Sequence, residues 1–360
     1  MSETTPHVFD DAPGGLGAYG WNPSVAARYR PYTDPHHVPA RIVRVDRTTC
    51  RIMTPAGLER CRLASTAIQP VTGDWAVVGR APDAAYTLIH VLPRSTAVVR
   101  ANAAGSGEQT LAANIDTMFI LHGLDRPHRV GRLERLAILS WEAGVEPVMV
   151  LTKIDLAGTP GAVIGVDEGI HEIGKTIPGV EIVPASAVTG DGTDRLARYL
   201  RQGQTVGLAG ESGAGKSSLI NHLAGNDLQA TGRTRRGDHK GTHTTTAREL
   251  VPIPGGAVLM DTPGLRSISM PSAQDGLARS YADLEEYASQ CRFRDCAHRA
   301  EPGCAVQAAI ADGRVAPERW TGYRKLQREM THEAQRAVDR SRRAETRTAR
   351  RRNRSGDEEW

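Results

Sequence analysis

Five short groups of residues carry the types and spacing that chemistry requires. Gly210-Glu211-Ser212-Gly213-Ala214-Gly215-Lys216-Ser217 has the form G-x-x-x-x-G-K-[ST], follows the apolar run Thr205–Leu208 and opens the apolar helical pattern Ser218–Leu223. Glycines in that context let backbone N–H groups curl around phosphate oxygens at a helix N-terminus, Lys216 supplies a point charge to the outer phosphates, and Ser217 offers a hydroxyl to Mg²⁺. Forty-five residues beyond Lys216, after the apolar run Ala257–Met260, comes Asp261-Thr262-Pro263-Gly264. An Asp at a strand end can hold magnesium, and the N–H of Gly264 can sense a terminal phosphate. Thr152-Lys153-Ile154-Asp155 follows the apolar run Pro147–Leu151, and Ser186-Ala187 follows Glu181–Val183. A carboxylate such as Asp155 accepts from both the ring N–H and the exocyclic amine of guanine, a pair of donors that adenine does not present. Cys291-x4-Cys296-x-His298-x5-Cys304 gathers three thiols and an imidazole within fourteen residues, a closed tetrahedral set suited to one structural Zn²⁺.

These groups must be held by elements, and the rhythm of the chain predicts which. From Ala40 to Leu92 five short β-type runs alternate with turn signals: Arg41–Val45, Cys50–Met53, Glu59–Leu63, Asp74–Val78 and Thr87–Leu92. That pattern fits a small closed barrel, with a small sandwich as the alternative. From Asp116 onward apolar strands alternate with helical stretches, which is the signature of a doubly wound α/β domain. The four nucleotide-type motifs each sit at the end of such a strand.

Composition sets the outer limits. The chain has 360 residues, 45 Lys+Arg against 41 Asp+Glu, and 39% apolar residues, which excludes a small stapled scaffold and a wholly disordered chain. No run reaches the length of a spanning helix, and residues 1–36 lack the apolar core of a signal peptide, so a soluble cytoplasmic monomer without membrane contact is expected. The odd number of cysteines, five, argues against a disulfide framework; Cys50 and Cys61, in the barrel region, are expected to fill its core. Residues 324–354 hold twelve Lys/Arg and four Asp/Glu, a local balance of +8. The barrel region offers chiefly Trp75 and Tyr86 as aromatics, so recognition of structured RNA by arginine on backbone and shape is expected rather than base stacking.

In ordinary GTPases the T-K-x-D and S-A boxes follow the phosphate loop, whereas here both precede it. A parallel sheet tolerates this inversion as long as termini and connections stay on the surface. In that order of motifs the chain resembles the circularly permuted GTPases, and specifically the bacterial small-ribosomal-subunit-dependent GTPases, over roughly residues 38–325. The resemblance implies an N-terminal β-barrel of the oligonucleotide-binding type, a circularly permuted P-loop α/β GTPase domain and a C-terminal helical zinc-binding module. It implies GTP/GDP binding by Thr152 to Asp155, Ser186, Ala187, Gly210 to Ser218, Asp261 and Gly264. Gly241-Thr242-His243-Thr244-Thr245-Thr246 resembles the family's first switch, G-[RK]-H-T-T-T, with Thr242 departing at the second position. By that match Thr245, with Ser217 and Asp261, serves Mg²⁺, and Thr244 and Thr246 are the alternatives. Leu265 stands where many GTPases carry a water-orienting Gln, and a leucine can neither donate nor accept a hydrogen bond. The resemblance points instead to His243 as the catalytic group.

Six segments follow: a loosely ordered arm over 1–37, the barrel over 38–95, a linker over 96–112, the GTPase domain over 113–272, the zinc module over 273–333 and a disordered Arg-rich tail over 334–360. The function implied is GTP hydrolysis during late maturation of the small ribosomal subunit and its rRNA, stimulated by the subunit and coupled to release. A permuted GTPase of the large subunit and a nucleotide-stabilised RNA-binding scaffold are the alternatives.

Overall fold

The computed structural model describes residues 12–63, 69–80, 85–101, 108–225, 248–261 and 273–356. Five strands, β1 (His37–Val45), β2 (Thr49–Thr54), β3 (Gly57–Arg62), β4 (Trp75–Arg80) and β5 (Tyr86–Val91), close into a barrel in the order β1-β2-β3-β5-β4. Closure comes from β1 pairing with both β2 and β4, which settles the choice against a sandwich. Alternate residues of these strands meet in one interior: Ala40, Ile42, Cys50, Ile52, Cys61, Val78 and Leu88 are all buried together. Cys50 and Cys61 oppose one another in register and fill this core. Trp75 and Tyr86 are buried as well, so neither offers a face for stacking a base.

The segment expected to be a loose arm is ordered from residue 12. A 3-10 turn (Gly14–Tyr19) and helix α1 (Pro23–Tyr29) lay Leu16, Trp21 and Val25 on the outside of the barrel against Trp75, Val77 and Leu92. Asn22 caps α1 by accepting from the Val25 N–H at 3.0 Å, and Pro23 occupies the first helical position, where its missing N–H costs nothing. Residues 1–11 lie outside the described residues. The stretch expected to be a linker contains an antiparallel pair, β6 (Ala97–Ala101) and β7 (Glu108–Ala113), which buries Val98 and Leu111 in the main core.

The larger sheet has six strands: β8 (Thr117–Gly123), β9 (Glu146–Thr152), β10 (Glu181–Ala185), β11 (Thr205–Gly210), β12 (Leu250–Pro252) and β13 (Val258–Asp261). Their order is β10-β9-β8-β11-β13-β12, parallel throughout except for β12 at the edge. Strand β11 inserts between β8 and β13, although β8, β9 and β10 all precede it in sequence. Helices α2 (Val130–Glu142) and α3 (Val166–Thr176) cross over before it, and α4 (Lys216–Ala224) follows it. Strands β8 and β9 are buried almost end to end, as expected for strands covered on both faces.

The C-terminal region comprises α5 (Gln274–Ser280), α6 (Ala282–Ser289), α7 (Ala305–Ala311) and α8 (Pro317–Gly356). It docks on α2. Tyr281 donates to the buried Glu134, and the Gly276 N–H donates to Glu142 at 2.9 Å. A Cβ at Gly276 would lie 2.2 Å from the Ile138 carbonyl oxygen, so glycine permits the close approach of α5 to α2. Arg319 holds Asp283 through two hydrogen bonds and the carbonyls of Ser280 and Thr176 through two more. Helix α8 continues to Gly356, across the stretch expected to be disordered. Residues 324–355 contain no Pro or Gly and are rich in Ala, Arg, Glu and Gln, all strong helix formers. Among the described residues no helix is long and apolar enough to cross a membrane.

Candidate functional site

Strands β9, β10, β11 and β13 all deliver motif residues at their carboxyl ends, where open α/β sheets bind ligands. The sheet therefore brings together Thr152 to Asp155, Ser186, Ala187, Gly210 to Ser218 and Asp261. His243, Thr245 and Gly264 lie outside the described residues, as do the alternatives Thr244 and Thr246.

The loop from Gly210 to Gly215 leaves β11 and enters α4. Gly213 (φ 75°) and Gly215 (φ 92°) adopt left-handed backbone conformations that favour glycine and bend the chain into a concavity of the kind that suits an anion. Lys216 Nζ donates to the carbonyls of Gly210 (3.0 Å) and Glu211 (2.9 Å), so its ammonium lies along the same loop. Asp261 ends β13 and is 6% exposed, with Oδ1 making no hydrogen bond among the described residues. Burial raises its pKa above the ordinary carboxylate value and the Lys216 ammonium opposes that rise. A buried carboxylate oxygen left unpaired beside a phosphate-type loop has the chemistry of a ligand for a hard divalent cation.

The T-K-x-D group divides its work. The Thr152 hydroxyl donates to the Ala214 carbonyl at 2.7 Å, so this buried residue grips the glycine-rich loop. Lys153 takes a left-handed turn (φ 64°) and its ammonium pairs with Asp125 at 2.6 Å. Asp155 is held by Ser186, whose Oγ donates to Oδ1 at 2.6 Å. The same Ser186 oxygen accepts from the N–H groups of Val188 (3.1 Å) and Thr189 (3.2 Å), which fixes the S-A turn around it. Ser186 is completely buried, so its side chain orients the carboxylate rather than meeting a ligand.

Sequence reading missed Asp125 and Arg126, in the loop after β8. Arg126 donates to the carbonyls of Ser212 (2.8 Å) and Gly213 (3.0 Å) and pairs with Asp125 at 3.0 Å. Burial is the largest single influence on Asp125 and pushes its carboxyl up, but hydrogen bonds from Arg126 and Lys153 outweigh it and hold the pKa at about 2. Their position at the carboxyl end of an apolar strand, the feature shared by the four nucleotide-type motifs, was the available signal.

Away from this cleft, Cys291, Cys296, His298 and Cys304 place their ligand atoms within 4.8 Å of one another. His298 Nδ1 lies 3.5 Å from the sulfurs of both Cys291 and Cys304. His298 adopts φ 54°, its carbonyl accepts from Gln307 at 2.8 Å, and its ring meets Trp320 edge-on at 5.7 Å. Three sulfurs and one ring nitrogen in this compact arrangement could hold one metal ion with no ligand position left open.

Fold and site together define a circularly permuted GTPase. The family model described as RsgA GTPase matches residues 91–271. The chain is 42% identical over 330 residues to the small ribosomal subunit biogenesis GTPase RsgA of Streptomyces avermitilis, covering 90% of this chain and 88% of the relative. It is 36% identical over 324 residues to the protein of the same name from Methanosarcina acetivorans, covering 88% and 86%. YjeQ from Thermotoga maritima superimposes with a TM-score of 0.59 at 24% identity, covering 82% of this chain and 99% of that one. YloQ, described as a circularly permuted GTPase, gives 0.58 at 22% identity, covering 84% and 98%. The chain belongs to the RsgA GTPase family and hydrolyses GTP.

Proposed function

We propose that this GTPase binds the small ribosomal subunit in the cytoplasm and acts late in its assembly, with hydrolysis accelerated by the subunit and coupled to release. One observation carries the reading: similarity to relatives named for small-subunit biogenesis runs through the barrel, the permuted domain and the C-terminal region, over 90% of the chain.

Within that function, Gly210 to Ser218 cradle the phosphates, Asp155 reads guanine with Ser186 behind it, and Ala187 approaches the base from the S-A turn. Thr152 and Lys153 support this arrangement from the loop side. Ser217, Asp261 and Thr245 are the proposed residues for Mg²⁺, and the unpaired, buried Asp261 oxygen fits that assignment. Bound magnesium would neutralise charge on the outer phosphates. His243 orients the attacking water, a task that Leu265 cannot perform. Cys291, Cys296, His298 and Cys304 hold a structural Zn²⁺.

Single-turnover hydrolysis measured with and without isolated small subunits tests the proposal. The rate is expected to rise strongly with small subunits and not with large ones, and His243→Ala is expected to bind GTP normally while losing most of the stimulated rate. Equal rates with and without small subunits would overturn the functional reading. Stimulation by large subunits alone would move the enzyme to the other particle.

A further inference from the structure

The middle of the glycine-rich loop is held from outside by side chains of two other strand ends. Arg126 bonds the Ser212 and Gly213 carbonyls, and Thr152 bonds the Ala214 carbonyl. In a trans peptide the C=O and the following N–H point in opposite directions. Drawing the Ser212 and Ala214 carbonyls outward therefore turns the N–H groups of Gly213 and Gly215 toward the inner face of the loop. The Gly213 carbonyl belongs to the peptide whose N–H, on Ala214, closes a turn onto Glu211 O at 3.1 Å, so Arg126 fixes that turn too.

Arg126 is itself immobilised. Its Nε and Nη2 form a fork on the two oxygens of Asp125, at 3.0 and 3.1 Å, and Nη1 lies 3.7 Å from Glu211. The other claim on Asp125 is the Lys153 ammonium, which joins the fork to the segment carrying Asp155. Two glycines make room. A Cβ at Gly213 would stand 3.1 Å from Arg126 Nη2, and one at Gly123 would stand 2.5 Å from Asp125 Oδ1.

We propose that Arg126 is a positioning residue for the phosphates of GTP: its planar fork sets the peptide planes of the loop before nucleotide arrives, and Asp125 couples it to Lys153. The residue touches the loop and not the substrate, so its effect scales with the phosphate groups of the ligand and leaves the base unaffected. This inference rests on the reading of residues 210–217 as the phosphate loop.

The test compares the affinities of full-length protein for GTP, GDP and guanosine by competition against a fluorescent guanine nucleotide. Arg126→Ala is expected to weaken GTP and GDP by about tenfold, the scale of one or two charge-assisted hydrogen bonds, while guanosine changes by less than about twofold. Arg126→Lys keeps the charge without the planar fork and is expected to fall between wild type and Arg126→Ala in its ratio of guanosine to GDP affinity. Equal losses for guanosine and GDP, or a wild-type ratio in both variants, would overturn the proposal. Lys216→Ala serves as the reference: if it leaves GDP affinity intact, the phosphate-loop reading itself fails, which separates that outcome from a failure of Arg126 alone.

Discussion

Ser186 is a small residue with an outsized part in the site, because three groups converge on one oxygen. Its hydroxyl gives its only proton to Asp155 and accepts from two backbone N–H groups of the S-A turn. Removing the hydroxyl leaves a half-buried carboxylate without its internal donor and leaves two N–H groups without an acceptor. A hydrogen bond to a charged group contributes about 1.5–3 kcal/mol. Ser186→Ala is therefore expected to weaken GTP binding by about tenfold, the effect of about 1.4 kcal/mol. The loss should be larger for GTP than for inosine triphosphate, which lacks the exocyclic amine and makes less use of the oriented carboxylate. Competition binding with the two nucleotides checks this, and an unchanged preference would mean that Asp155 orients itself. Cys50 and Cys61 illustrate the opposite case: reactive residue types that serve as core filling, with the neighbouring Cys61 thiol foremost, and burial after it, raising the pKa of the Cys50 thiol.

Elements in this chain differ in how far their own residues determine them. The C-terminal cluster is a short loop followed by the seven-residue helix α7, which Cys304 caps: its sulfur accepts from the Gln307 N–H at 3.5 Å. A metal held by these thiolates would order the loop from 291 to 304 and cap α7 at once. Purified protein is expected to carry close to one zinc per chain, and chelation is expected to lower the melting temperature of the C-terminal region with loss of helical signal. Less than about half a zinc per chain, with no response to chelator, would count against the metal. This cluster was legible in sequence because its ligands are local, as were the strands β9 to β11 with their motifs, where apolar runs and chemistry coincide. The segment from 12 to 36 was not. Its caps, Asn22 and Pro23, are local signals, but its stability comes from Leu16, Trp21 and Val25 packing on barrel residues that lie about fifty to seventy-five positions away. Likewise Arg126 carries no motif; its role arises only when β8 and β11 become neighbours and the loops at their ends meet. The pairing of β6 with β7 was hidden for a similar reason, since such short strands show little periodicity of their own.

At the scale of the whole molecule, one buried arginine links three parts of the fold. Arg41 lies on β1, is 2% exposed, and reaches the Tyr19 carbonyl (3.4 Å) in the N-terminal segment, the Asn114 carbonyl (3.3 Å) and the Thr205 hydroxyl (3.1 Å) at the start of β11. Its guanidinium also lies 4.6 Å over the Trp75 ring. Burial lowers its pKa to about 10, with Asp116 and Asp74 opposing, so the charge is retained at neutral pH. Around it, Arg94 grips the buried Asp74 with a two-pronged contact, and Asn114 accepts from Ser95 while donating to the Gly73 carbonyl. The surface pairs of Glu249 with Arg44 and Arg51 lie on the same boundary, but exposed pairs contribute about 1 kcal/mol or less. Cooperation between barrel and GTPase domain should therefore depend on Arg41. In the wild-type chain the two are expected to unfold in one calorimetric transition. Arg41→Ala strands the Asn114 carbonyl and the Thr205 hydroxyl and opens space beneath Trp75; a loss of about 3 kcal/mol is the scale for breaking a buried charged network. That loss falls on the boundary rather than on either core, so the barrel is expected to melt first and the single transition to split. Arg51→Ala, as the comparison, should leave one transition with a melting temperature close to wild type. A single, merely shifted transition in Arg41→Ala would show that the domains are coupled through the remaining contacts, Asp74–Arg94 foremost among them.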